Sequence, residues 1–114
     1  MKDINGTIQY KDKTYRLVFN LNVMESIQAE YGSVDKWAEM TDGEGEPDAK
    51  AVIFGFTQMI NEGIEIANDE NGTDEKLLTH KQVGRMITDI GLSDATMTLN
   101  KTVIDSTQSE EKNE

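Results

Sequence analysis

The chain opens on an alternating pattern. Between residues 3 and 20, Ile4, Gly6, Ile8 and Tyr10 share one parity, and Tyr15, Leu17 and Phe19 share the other after the polar run Lys11-Asp12-Lys13-Thr14. A period of two on either side of a polar break predicts a β-hairpin with one apolar face. A hairpin alone is marginal in water, so that face has to rest on something else. The period then becomes helical. Asn22 with Glu25 reads as a capping box, Val23, Met24, Ile27 and Tyr31 recur along one side, and Gly32 offers a stop, which predicts a helix over about 23–31. Ser33 can cap a short helix over 34–40 that carries Val34, Trp37 and Ala38 on one face.

Residues 41–48, TDGEGEPD, hold two glycines, the only proline and a cluster of acids, a composition that reads as a flexible loop. Asp48 is a good N-cap for the clearest helix of the chain, over 48–67. Ala49, Val52, Ile53, Phe56, Met59, Ile60, Gly63 and Ala67 fall there at i, i+3, i+4, i+7 spacing. Phe54, Ile64 and Ile66 lie off this stripe, so the helix has apolar residues for more than one neighbour. Residues 68–76, NDENGTDEK, read as an acidic linker with an Asn-Gly turn. Thr79 with Gln82 is a second capping box, opening a helix over 80–90 with Val83, Met86, Ile87 and Ile90 on one stripe and Gly91 as its stop. A final helix over 94–104 would use Ala95, Leu99 and Val103, although Thr96, Thr98 and Thr102 lower its propensity. The polar residues 105–114, DSTQSEEKNE, are expected to be a disordered acidic tail. The expected architecture is one α+β domain over 1–104, mostly helical, with an N-terminal hairpin packed on four to five helices.

Composition narrows the function classes. Eleven basic against twenty-two acidic side chains leave a net charge of −11, which repels phosphate backbones and anionic headgroups, so neither nucleic acid nor a membrane surface is an expected partner. The absence of cysteine removes disulfides, thiol catalysis and thiolate metal sites, and no apolar run reaches membrane-spanning length. A cytoplasmic protein is expected. The triplets Asn5-Gly6-Thr7 and Asn71-Gly72-Thr73 are then turns rather than glycosylation sites.

Catalytic, metal and cofactor chemistry find little to stand on, and neither an enzyme nor a cofactor is expected. His80 is the one imidazole and has no neighbouring partner for acid–base work, so an exposed, unpartnered ring is expected. Glu62 with Glu65, or Asp69 with Glu70, read as a charged helix end rather than a carboxylate pair. The oxygen-rich run Asp69 to Glu75 fails as a calcium loop, because placing Gly72 sixth puts Ala67 at the first ligand position. No phosphate-binding glycine motif occurs. Met24, Met40, Met59, Met86 and Met97 serve either the core or an adaptable surface, with the core the commoner role.

Three features together resemble a family. The strand Tyr15-Arg16-Leu17-Val18-Phe19-Asn20-Leu21-Asn22 runs directly into Val23-Met24-Glu25-Ser26-Ile27-Gln28-Ala29-Glu30-Tyr31-Gly32; a long helix follows over 49–67; and Leu78-Thr79-His80-Lys81-Gln82-Val83-Gly84-Arg85-Met86-Ile87 leads into one more helix. This order, over roughly residues 5–105, is similar to the tail assembly chaperones of long-tailed bacteriophages and prophages. The resemblance implies a protein of the host cytoplasm that binds the tape measure protein, keeps it soluble, assists the tail tube protein in polymerising around it, and carries no catalytic residues. A structural component of the tail and an acidic mimic of nucleic acid that inhibits a host enzyme are the competing classes. For the chaperone class, Phe54, Ile64 and Ile66 are the candidate contact residues, set against their burial between helices.

Overall fold

The computed structural model describes the backbone over residues 5–42 and 46–112 and the side chains over 6–41 and 46–106. It is α+β and mostly helical: β1 (Asn5–Tyr10) and β2 (Lys13–Val18) are followed by α1 (Leu21–Tyr31), α2 (Val34–Asp42), α3 (Ala49–Asn71), α4 (His80–Ile90) and α5 (Leu92–Lys112). The strands pair antiparallel with Ile8 opposite Tyr15 and Gly6 opposite Leu17, the register that puts the alternating apolar residues on one face. The break is tighter than the four polar residues suggest. Tyr10 pairs with Lys13, so Lys11 and Asp12 make the whole turn, with Lys11 at a positive φ of 57°.

That face rests on α3, and β1 also packs on α5. Ile8, Leu17 and Phe19 join Val23 and Ile27 of α1, Trp37 of α2, Val52, Phe56, Met59 and Ile60 of α3, Val83 and Met86 of α4 and Leu99 of α5 in one buried cluster. Trp37, Phe56, Ile60 and Val83 are each fully buried, as their stripe positions require. Where β2 crosses α3 the backbones nearly touch at Gly63. At the buried Trp37 the indole Nε1 donates to the Ala51 carbonyl at 2.9 Å.

Several boundaries differ from those the pattern suggests. The cap of α1 is Asn20, not Asn22: the Asn20 carboxamide accepts from the Val23 amide at 3.2 Å, and Asn22 lies inside the first turn with its side chain donating to Glu62. Thr41 and Asp42 belong to α2, where Thr41 is buried and its hydroxyl donates to the Ala38 carbonyl. The rest of the expected loop 41–48 is closed at its base by the Asp48 amide donating to the Met40 carbonyl at 2.8 Å, and residues 43–45 lie outside the described residues. Asp48 caps α3, as expected.

α3 runs four residues past the expected end at 67, because the Asn-Gly read as a linker turn is its C-cap, with Gly72 in the left-handed conformation. What remains of the linker is held by side-chain amides. Asn68 accepts from the Thr73 hydroxyl and the Glu75 amide and donates to the Glu75 carbonyl, and Asn61 brackets Leu78 by donating to its carbonyl and accepting from its amide. Thr79 and Gln82 form the expected capping box of α4.

α5 starts at Leu92 and continues past 104 to Lys112, so the boundary of the acidic tail expected from 105 is corrected toward the C-terminus; residues 113 and 114 lie outside the described residues. The threonines that weigh against this helix turn their hydroxyls back onto its own carbonyls, Thr96 to Leu92, Thr98 to Asp94 and Thr102 to Thr98. Ser106 is fully buried and donates to the Phe19 carbonyl at 3.1 Å, which pins α5 to the end of the hairpin. Ile4 of the expected hairpin also lies outside the described residues. Among the described residues no helix is long and apolar enough to cross a membrane.

Candidate functional site

The three apolar residues that lie off the main stripe of α3 have different fates. Ile64 is buried, only 6% exposed, and belongs to the core cluster, which corrects its assignment as a contact residue: α3 buries this position in the core in addition to its main stripe. Phe54 is half-buried and forms part of the floor of a groove of about 950 Å³ between α3 and α4. Ile66 is half-buried and does not line that groove. The three do not form one surface.

The groove is made by the N-terminal half of α3 and by one face of α4 along most of its length. α3 contributes Lys50, Ile53 and Phe54, α4 contributes His80, Lys81, Gly84, Arg85 and Thr88, and Glu30 closes one end from α1. Ile53 and Phe54 reach this surface because the buried stripe of α3 runs through Val52, Phe56 and Met59 and leaves the adjoining positions at the edge of the core. Gly84 keeps α4 without a side chain at the point where it faces Ile53; a Cβ there would meet the Ile53 Cδ1 at 3.5 Å, an ordinary contact. The floor is therefore aliphatic and aromatic, and it lies open along one side.

Phe54 is fixed on both sides. The Tyr31 ring meets it edge-on with centroids 5.5 Å apart, and the His80 ring stacks at 6.0 Å with the planes inclined by 17°. His80 is exposed as expected but not unpartnered, since it extends the aromatic surface of Phe54. The Tyr31 hydroxyl is buried and has no hydrogen-bond partner among the described residues. Burial raises its pKa first, and the carboxylates of Asp48 and Glu30 raise it further.

The charge around the groove runs against that of the chain. Three of the eleven basic residues, Lys50, Lys81 and Arg85, line it with one acid, Glu30, in a molecule of net charge −11. Lys50 is paired with Glu30 at 3.6 Å. Among the described residues Lys81 and Arg85 have no carboxylate within ion-pair distance. These two cations and Gly84 escape a reading that treats residues 79–90 as a cap and an apolar stripe. The available signal is a like-charged pair spaced i, i+4 on the polar face in a chain with twice as many acids as bases.

A second, smaller hollow on the outer side of α5 is lined by Met97, Thr98, Asn100, Lys101 and Ile104, with Met97 68% exposed. Of the five methionines weighed from the sequence, Met59 and Met86 are in the core, Met24 packs against it, and Met40 and Met97 are exposed. Among the described residues no three His, Cys, Asp or Glu side chains come together as a metal site requires. Comparison with protein-family models, with curated proteins and with solved structures gives no match.

Proposed function

We propose that the protein is a binding protein that receives an apolar helical segment of a larger client in the α3–α4 groove, acting as a tail assembly chaperone of a bacteriophage or prophage with the tape measure protein as client. The observation that carries the binding reading is the groove itself: Ile53, Phe54 and the bare backbone of Gly84 form an apolar floor left uncovered between two helices. Amphipathic helices dock into such grooves by their i, i+3, i+4, i+7 anchors, and apolar clients of this kind aggregate when their own stripe is left in water. A net charge of −11 on the rest of the molecule supports the chaperone reading, because it keeps a complex of chaperone and client soluble. The assignment to tail assembly rests on the resemblance of the strand–helix junction at 15–32, the long central helix and the segment 78–87 to that family. The host cytoplasm is the compartment that this role requires, and the tail tube protein is the second partner it implies.

Co-expression of the cognate tape measure protein with this chain tests the proposal. The soluble yield of the client should rise, and it should fall back when Gly84→Leu fills the groove, a change whose Cβ meets only an ordinary contact. An unchanged soluble yield with the wild-type chain would refute the chaperone role, and full activity of Gly84→Leu would refute the groove as its site.

A further inference from the structure

α4 departs from two electrostatic rules at one place. Its first turn holds no acid and instead carries Lys81, so a cation sits at the end of the helix where the backbone dipole is positive. One turn further on, Arg85 repeats the charge at i+4, where like charges repel. Both side chains are exposed, both line the groove, and neither has a carboxylate partner among the described residues, although the chain has twice as many acids as bases. Structural pairing is available elsewhere at the same rim, where Glu30 neutralises Lys50. α3 likewise has a lysine and no acid in its first turn, but there Lys50 is paired with Glu30. On α4, Asp89, one turn beyond Arg85, accepts from the Tyr10 hydroxyl and is not within ion-pair distance of Arg85, so among the described residues the two cations of α4 are left for a ligand.

We infer that Lys81 and Arg85 select the client: the groove takes a helix whose apolar stripe is flanked, on the side facing α4, by one or two carboxylates. This rests on the groove being the binding site. A carboxylate between the two cations relieves their mutual repulsion and supplies the negative charge that the first turn of α4 lacks, while the apolar stripe covers Ile53 and Phe54. A polyanion such as nucleic acid would meet the same two cations but also the repulsion of the whole molecule, and it would leave the apolar floor uncovered. A helix with one or two acids is repelled little and covers both.

Two synthetic helical peptides with the same leucine stripe test this, one with two Glu beside the stripe and one with two Lys. Each is titrated into the full chain by calorimetry in about 0.15 M salt, where charges more than about 8 Å apart are largely screened. Amide shifts in NMR spectra locate the contact. The Glu peptide should bind about tenfold more tightly, the size of one charge-assisted hydrogen bond at a partly dried rim, and should shift Phe54 and the amides of residues 80–85. Lys81→Glu with Arg85→Glu should reverse the preference in a chain that still unfolds cooperatively, and Lys81→Gln with Arg85→Gln should abolish it. Equal affinity, no binding of either peptide, a preference that survives both double variants, or shifts centred on Met97 and Ile104 of α5 would overturn the inference. Failure of the inference and failure of the chaperone role are separable. Capture of the tape measure protein that is indifferent to the double variants would sink only the selection by Lys81 and Arg85, whereas selective binding of the Glu peptide without capture of the tape measure protein would sink only the role.

Discussion

Two glycines in neighbouring helices show how single positions set the limits of this packing. A Cβ on Gly63 would lie 2.6 Å from the Arg16 carbonyl oxygen, a backbone atom that cannot move aside without shifting β2. A Cβ on Gly84 meets only the end of Ile53. Gly63→Ala should therefore cost about 1–3 kcal/mol through overpacking, and Gly84→Ala should gain about 0.5–1 kcal/mol through helix propensity. Denaturant midpoints of opposite sign relative to wild type check the pair; two shifts of the same sign would show that the approach of β2 to α3 is misplaced. Phe56, fully buried at the centre of the cluster, should cost about 3–5 kcal/mol as Phe56→Ala, and an unchanged midpoint would remove it from the core. At the surface, the Tyr10 hydroxyl donates to Asp89 at 2.6 Å, and this bond, with smaller contributions from burial and from the Asp89 charge, raises the phenol's pKa. The stabilisation belongs to the protonated phenol, so it is complete below the ordinary tyrosine pKa and is lost as pH rises through the raised one. In an alkaline spectrophotometric titration, Asp89→Asn should bring one tyrosine back toward its ordinary range; an identical titration curve would contradict the bond.

At the scale of elements, the caps decide where helices begin. Asn20→Ala removes the acceptor for the Val23 amide and should cost about 0.5–2 kcal/mol, whereas Asn22→Ala removes only an exposed bond to Glu62 and should stay within about 0.5 kcal/mol; the reverse order in thermal unfolding would restore Asn22 as the cap. The two residues are alike in chemistry and only two apart, so the sequence could not choose between them without knowing where β2 ends. The hairpin, the start of α3 and α4 were legible because their periods are strong and their N-caps unambiguous, as with Asp48, and with Thr79 paired to Gln82. The end of α5 was not, because its packed face passes from Ala95 and Leu99 to Thr102 and Ser106, hydroxylated residues that a hydropathy pattern assigns to solvent. They fit there because Thr102 bonds within the helix and Ser106 donates to Phe19, while Gly6 leaves room for Thr102 against β1. The same reasoning explains the site. Phe54 was legible as an apolar residue off the stripe, but Ile64, alike in pattern, is buried in the core cluster, and only tertiary packing separates the two. Lys81, Gly84 and Arg85 escaped because a polar helical face reads as solvated until a neighbouring helix makes it a rim.

The molecule as a whole is acidic, and between α3 and α4 it carries a groove that is mixed apolar and basic. If the client is held mainly by Ile53 and Phe54, with Lys81 and Arg85 only selecting among apolar helices, its complex should weaken only mildly as salt rises, since burial of apolar surface is not screened and two rim contacts are a small part of the total. Attraction to the acidic surface would behave otherwise and fall steeply with ionic strength. Pull-down of the cognate tape measure protein at low and at high salt, with wild-type chain and with Gly84→Leu, is the most direct measurement. The complex should form with wild type at both salt concentrations and be lost with Gly84→Leu at both; no complex at either, or one confined to low salt, would contradict binding through the groove.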